Sequence, residues 1–469
     1  MAARAGVNVE TLRYYERRGL LPVPARQPSG HRRYGEDTVR LLRAIKDAQA
    51  VGFTLTEIAE YLHDAGRTAS PSEALRIRMA AKIDEIDGRI AGLRRMRDEL
   101  ARIVGCACSS LDDCTCGAAY LARRGKESRV HPAVLHVTNG ESAGNTLRQT
   151  RLAGAVLPWS DALHEGPVPA GTRAELLRVR AGFLSECGWG GRRALLSVLQ
   201  RRDHQFLEAL AEGRDTVLWF EHDLYDQLQL LDALALAGEA HASPELIVIG
   251  SFPGRQRFTG LGELTADELE TLWPSRTAAS PAVLAAATTV WTAFRAAEPA
   301  GLCSFADRSV PGLPYLAPAL ERLLAELPSA SNGLSTTERL ALESVAAGAD
   351  TPGAAFVASQ RLEPAPFLGD TWFYRSLAAL GGGRARLVET ADGDPLPPAP
   401  PTSDPHLFAR LRLHVTDDGE AVLRGEADRV ELLGIDRWIG GTHLTRQDVW
   451  RWDADARRVI PQTSLGAAE

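Results

Sequence analysis

The sequence predicts a multidomain fold. It begins with an α-helical winged helix-turn-helix plus a long dimerisation helix, followed by an α/β domain and a helical, winged-helix-like C-terminal region. Three observations lead there. At 469 residues the chain holds roughly three domains of about 150 residues each. Its charge is divided unevenly: residues 1–104 carry 19 Lys and Arg against 14 Asp and Glu, while the remainder carries 34 against 46, within an overall −7. The hydrophobic period also changes, from a helical seam before residue 104 to alternating strand and helix signals after residue 133.

The first domain spans 1–66. Seven Arg face only Glu10 and Glu16 in the first 35 residues, the local positive charge that a phosphate-binding surface needs. Asn8 can cap a helix of about ten residues that stops at Gly19. Leu12 and one of Tyr14 and Tyr15 can pack inward, while Thr11, Arg13, Arg17 and Arg18 point outward, where they can meet base edges and phosphates in a major groove. Pro28 to Gly30 form a turn, and His31, Arg32, Arg33 and Tyr34 then alternate basic and aromatic character, as a wing laid on a phosphate backbone requires. Amphipathic helices are expected at 36–50 and 54–64. A solvated charge run is the alternative, but it does not explain why helix, turn, wing and helices follow in this order.

Residues 67–104 form the dimerisation helix. Ile83, Ile86, Ile90, Leu93, Met96, Leu100 and Ile103 alternate spacings of three and four, a coiled-coil seam that a lone helix cannot bury. The partner is a second copy, or otherwise the C-terminal part of the same chain. Residues 105–132 are a cysteine loop and linker. Four of the six cysteines, Cys106, Cys108, Cys114 and Cys116, fall within eleven residues. Thiolates so grouped suit a soft metal or a redox centre: zinc, copper(I), mercury or an iron–sulfur cluster. Free thiols are the alternative.

An α/β domain is expected at 133–255. Strand patterns lie at 134–138, 155–157, 216–220 and 246–249, with helices at 145–150, 173–186 and 203–212, an alternation that argues for a parallel sheet. Gly140-Glu141-Ser142-Ala143-Gly144 has the spacing of a nucleophile elbow, although Ser142 follows the first strand and lacks a triad-spaced Asp and His, so a tight turn or phosphate site fits better. Asp161, His164 and Glu165, and Glu221, His222 and Asp223 with Asp226, follow strands, where α/β folds place ligand sites. They suit a ligand pocket, acid–base work, a hard metal or simple structural capping. A helical connection at 256–332 leads to a winged-helix-like α+β region at 333–469. There Ser335 and Glu338 have capping-box spacing, helices are expected at 336–347 and 371–380, and a strand and helix follow around 411–419. Trp438, Trp450 and Trp452 are expected to close a core.

The run E-T-L-R-Y-Y-E-R-R-G-L-L at 10–21, G-H-R-R-Y at 30–34 and G-F-T-L-T-E-I at 52–58 resemble the MerR family of transcription regulators over residues 2–62. That resemblance implies an antiparallel helix pair in a homodimer on a pseudo-palindromic promoter operator, with RNA polymerase as partner. It also implies a mechanism in which a sensed signal bends and untwists DNA with an overlong spacer. Metal-sensing members carry a cysteine pair on the loop after the dimer helix, which maps to Cys106 or Cys108 and to Cys114. Cys106, Cys108 and Cys114 also resemble a redox-sensing branch that holds a two-iron cluster, but Ile103 stands where that branch has its earlier cysteine, and Cys116 is extra. Ser72 stands where divalent-ion sensors have a cysteine, which disfavours a zinc or mercury site shared across the dimer and leaves a self-contained four-thiolate site open. The family's lead-in before A-A-R-A-G is missing, so a late start or a shortened first helix is expected.

The segments 135–144, 157–169 and 218–228 resemble a bacterial domain family of unknown function, which names relatives but no activity. No apolar run approaches the roughly 20 residues of a membrane span. The expectation is a cytoplasmic DNA-binding regulator that binds double-stranded DNA and no membrane, with no catalytic residue assigned. The alternative is an enzyme or small-ligand-binding protein in the α/β region, with the DNA-binding head as an accessory.

Overall fold

A computed structural model describes residues 21, 25–26, 32–33, 38, 40–42, 44–45, 134–382 and 385–461 of the chain. It divides into two compact units, 1–129 and 130–469.

In the first unit, β1 (Ala25–Arg26) and β2 (Arg32–Arg33) pair antiparallel, Ala25 opposite Arg33 and Arg26 opposite Arg32. Residues 38, 40–42 and 44–45 are helical, and Leu21, Leu42 and Ile45 are buried.

The second unit opens with β3 (Val134–Thr138), α1 (Glu141–Leu147), β4 (Ala155–Pro158), β5 (Gly166–Pro167), α2 (Arg173–Glu186), α3 (Arg192–Ala211), β6 (Asp215–Glu221), α4 (Leu224–Glu239) and β7 (Glu245–Ile249). α5 (Ala266–Leu272) and β8 (Thr277–Ala278) complete the α/β layer. The sheet runs β4-β3-β6-β7-β8, with the first four strands parallel and β8 antiparallel at the edge. β6 is buried from Thr216 to Glu221, as a central parallel strand covered on both faces must be. Its side chains alternate: Leu218 and Phe220 join Leu135, Val137 and Leu246 on one face, while Val217 and Trp219 join Ile247, Ala143 and Leu261 on the other. The strands sit where alternation places them. α3 begins eleven residues before the expected 203, because its first turns (Arg192, Arg193) follow Gly188 to Gly191 and carry little apolar periodicity.

The expected connection at 256–332 is part of the core instead. It contains α6 (Pro281–Phe294), α7 (Ala300–Ala306) and α8 (Leu316–Leu324). Val290, Trp291, Phe294, Leu320 and Leu323 pack with Leu228, Leu231 and Leu234 of α4, the buried residues of α6 and α8 recurring every three to four positions as one helical face does. Next come α9 (Thr336–Ala346), α10 (Pro352–Leu362), α11 (Asp370–Leu380), β9 (Val388–Thr390), α12 (Pro405–Phe408), β10 (Leu413–Val415), α13 (Asp417–Leu423) and α14 (Arg429–Leu433). Ser335 and Glu338 form the capping box at the head of α9. β9 and β10 pair antiparallel beside the three helices over a separate core that includes Leu342, Phe373, Leu377, Phe408 and Leu413.

The chain then returns to its start. β11 (Asp436–Gly440) pairs with β12 (Thr442–Thr445) and, in parallel, with β5, so that Ile439 meets Gly166 and Gly440 meets Pro167. Only glycine fits at this junction: a Cβ on Gly440 would lie 2.2 Å from the Phe294 carbonyl oxygen, and one on Gly441 2.0 Å from that of Arg295. β13 (Trp450–Asp453) and β14 (Arg458–Pro461) finish the fold. Trp452 enters the main core and Trp450 packs against it, whereas Trp438 stacks on His443 at 4.3 Å. The boundaries at 255/256 and 332/333 therefore do not separate independent bodies.

A buried chain of opposite charges crosses these layers. Glu326, after α8, accepts from Arg322 Nη1 at 2.6 Å, from Arg437 Nη2 at 2.8 Å and from the Thr337 hydroxyl at 2.6 Å. Arg322 also reaches Glu363 at 2.9 Å, and Arg437 reaches Glu165 at 3.0 Å. Burial pushes the Glu326 carboxyl up, but Arg322 and Arg437 outweigh it and hold it at about 2. Glu326→Ala strands two guanidinium groups and is expected to cost about 3–5 kcal/mol. A urea titration should show this as a lower midpoint with the slope retained. A loss below about 1 kcal/mol, the scale of exposed pairs, would mean that water compensates the stranded charges.

Candidate functional site

From β3 the chain crosses to β4 on one side, and it reaches β6 on the other side of β3. Loops leaving β3 and β6 therefore diverge and open a crevice at the carboxyl ends of the two strands, the place where open α/β sheets bind ligands. Asn139 ends β3, and Glu221, His222 and Asp223 end β6.

Three carboxyl groups meet there. Glu221, Asp223 and Asp226 are buried, and ligating atoms from the three lie within 4.8 Å of one another. Asn139 Nδ2 donates to Glu221 Oε1 at 3.2 Å and to Asp226 Oδ2 at 2.8 Å. The Leu261 amide donates to Glu221 Oε1 at 2.6 Å, and the Glu221 amide to Asp226 Oδ1 at 2.7 Å. Asp223 caps α4 by accepting from the Asp226 amide at 3.0 Å. Gly260, at φ +153°, leaves room for the Glu221 carboxyl, since a Cβ there would lie 2.4 Å from Oε2.

Amide donors surround this cluster, but among the described residues no cation pairs with it. Burial, reinforced by the charge of Asp223, pushes Glu221 up to about 8. Burial likewise raises Asp223 to about 7 and, with the charges of Glu221 and Asp223, raises Asp226 well above the usual carboxylate range. Glu221 and Asp223 lie close enough for the charge of one to oppose ionisation of the other. The arrangement can hold and hand over a proton, or its oxygens can close on one hard cation.

The other sequence-predicted positions go elsewhere. His222 turns away toward Phe258 and Tyr315 and lines a cavity of about 690 Å³. Its buried Nδ1 has no partner among the described residues, and burial lowers its pKa. Asp161 is held by Arg180 at 2.7 Å, with both side chains at most 2% exposed. His164 sits edge-on among Tyr225, Phe367 and Trp372, where burial lowers its pKa to about 3. Glu165 is taken by Arg437. Ser142 lies exposed in the first turn of α1, close to Gly262, and its hydroxyl makes no hydrogen bond among the described residues. Asn139 reads in the sequence only as a turn residue, yet it bridges two of the three acids.

Arg32 and Arg33 lie on β2. Thr11, Arg13, Tyr14, Tyr15, Arg17, Arg18, His31, Tyr34, the 79–103 seam, and Cys106, Cys108, Cys114 and Cys116 lie outside the described residues, as does most of the predicted helix at 36–50 and all of that at 54–64. Among the described residues, no helix is long and apolar enough to cross a membrane.

Two family models match the chain: the MerR HTH family regulatory protein over residues 1–65 and "MerR, DNA binding" over residues 39–103. A mercuric resistance operon regulatory protein of Serratia marcescens is 37% identical over 134 residues, which is 91% of that protein and 28% of this chain. Its counterpart in Shigella flexneri is 42% identical over 108 residues, 72% of that protein and 23% of this chain. A SoxR homologue of Chromobacterium violaceum is 38% identical over 116 residues, 77% of that protein and 24% of this chain. Among solved structures, the mercury(II)-bound regulator MerR of Bacillus megaterium MB1 is 31% identical and covers 26% of this chain and 95% of its own, with a TM-score of 0.21.

A carboxyl whose pKa is raised in the folded state favours folding at low pH, and that advantage is lost as pH rises through the folded value. The second unit should therefore lose stability between the ordinary carboxylate range and pH about 8. Glu221→Gln keeps an acceptor for Leu261 and Asn139 but cannot ionise. Its thermal midpoint should match that of the parent at acid pH and exceed it above pH 8. A variant whose midpoint falls as steeply with pH as the parent's would sink this account of the cluster.

Proposed function

This chain belongs to the MerR family of helix-turn-helix regulatory proteins, and from that premise we propose that it is a homodimeric transcription regulator that reads a pseudo-palindromic promoter operator in front of RNA polymerase. The observation that carries this reading is the coincidence of the two family matches, together covering residues 1–103, with a basic N-terminal stretch in a chain that is acidic overall. The β1–β2 hairpin adds support. It puts Arg32 and Arg33 on the second strand of a two-stranded wing. The 79–103 seam supplies the pairing surface of the dimer.

The signal enters through Cys106, Cys108, Cys114 and Cys116. Two relatives are named for mercuric resistance and another as a SoxR homologue, and four thiols in eleven residues have the ligand chemistry for a thiophilic metal or a redox cluster. The α/β unit supplies a second reading, that of a small-ligand or enzymatic module coupled to the same head. It is favoured by one observation, the buried Glu221–Asp223–Asp226 cluster at the ligand-binding edge of the sheet.

Gel-shift titrations with DNA from upstream of the protein's own gene test the regulator. Arg13→Ala and Arg32→Ala should each weaken binding, and each should reduce the slope of log affinity against log salt by about one if it removes a phosphate contact. Binding that ignores both changes would exclude this surface as the DNA reader. Separately, protein purified without oxygen should carry thiophilic metal or iron, and a variant with all four cysteines replaced by Ser should lose it. Equal metal content in the two proteins would remove the cysteine loop as sensor.

A further inference from the structure

A second cavity, of about 480 Å³, lies between α11 and the segment from α14 to the loop after β12, within the size range of small-molecule sites. Four guanidinium groups line it: Arg375, Arg429, Arg437 and Arg446. Three acids line it too, two of them in ion pairs with guanidinium groups. Glu338 holds Arg429 at 2.7 Å, Glu165 holds Arg437 at 3.0 Å, and Asp436 contacts His443 at 2.8 Å. Arg375 and Arg446 are left with no carboxylate partner among the described residues.

Their settings differ from each other. Arg375 is half-buried, with its guanidinium carbon 5.6 Å from the centroid of the buried Trp372 ring. Arg446 lies against the backbone at Gly434: a Cβ there would be 2.6 Å from Arg446 Nε, and Gly434 adopts φ +73°, so the cradle depends on glycine. Arg429 is 8% exposed, and its buried Nε has no hydrogen-bond acceptor. Two guanidinium groups without a carboxylate partner among the described residues thus line one concave space. A dianion with several acceptor oxygens can satisfy both, and planar guanidinium groups bind phosphate through paired hydrogen bonds. Trp372, Leu433 and Ile435 supply an apolar wall for a small organic body. The face of α11 that carries Arg375 and Ser376 turns into this cavity, which suits a small ligand rather than a duplex.

We propose that this cavity is a binding site for a small phosphomonoester, held by Arg375 and Arg446 against the Trp372 wall. The site is independent of the DNA-binding head, so its failure and that of the regulator reading are separable.

The test is isothermal titration of the full-length protein with phenyl phosphate, inorganic phosphate and benzoate at matched ionic strength. Phenyl phosphate should bind saturably and more tightly than benzoate, which presents the same ring on a singly charged anion. The double change Arg375→Ala with Arg446→Ala should weaken phenyl phosphate binding about tenfold or more, the loss expected when charge-assisted hydrogen bonds disappear, while DNA shifts stay at the parental level. If the double variant lacks a cooperative unfolding transition, Arg446→Ala alone, at an exposed position, carries the same expectation. Three results would overturn the site: no saturable phosphate binding at millimolar concentration, equal affinity for benzoate, or undiminished affinity in a folded variant.

Discussion

The buried chain of charges centred on Glu326 is the interaction on which the second unit depends. Glu165, Arg437, Glu326, Arg322 and Glu363 alternate in sign along one path. Each is at most about one-fifth exposed at the side chain. Removing such charges from water is expensive, and mutual attraction repays it only when every member keeps its partners. The path therefore tolerates no large relative movement of the elements that contribute to it. Those elements are the loop before β5, the end of α8, the end of α10 and the strand β11. With the β5–β11 pairing, it binds the end of the chain to the α/β layer and makes one cooperative body of what reads in sequence as several.

The same chain of charges also positions the two cavities. Arg322 and Glu363 line the larger one, beside His222, while Arg437 and Glu165 line the smaller one, beside Arg375. Both spaces are framed by side chains already locked in ion pairs, so the groups left without a partner stand out. Next to them, the Glu221–Asp223–Asp226 cluster follows the opposite principle. It has amide donors but no paired cation among the described residues, so burial raises the pKa of all three acids. One unit thus contains buried charges held in ion pairs, arginines with no carboxylate partner among the described residues, and buried acids with raised pKa values, each set by which partners the fold brings within reach.

Local information was readable wherever it is carried by neighbours in sequence. The apolar runs in Val134–Thr138 and Asp215–Glu221 and the Ser335–Glu338 capping box all follow from residues a few positions apart. The same holds for the family membership of residues 1–103, which rests on contiguous motifs and a local charge balance. Glu221 and Asp223 were legible as site candidates because polar residues directly follow a buried strand. Asn139 was not, because its role is to bridge carboxylates 82 and 87 positions away. Asp161, His164 and Glu165 looked like the other cluster and met different fates, since Arg180, three aromatic rings and Arg437 arrive from separate elements.

What the sequence determined by itself is the order of elements, the strand faces, the basic head and the grouped thiols, because propensity, periodicity and composition act over short spans. Tertiary structure alone decided which charges are compensated. Glu165 and Arg437 are 272 positions apart, and no local pattern reports that they form an ion pair. Whether an arginine stabilises the core or waits for a ligand depends on the acid that packing brings to it, and that is a property of the closed fold.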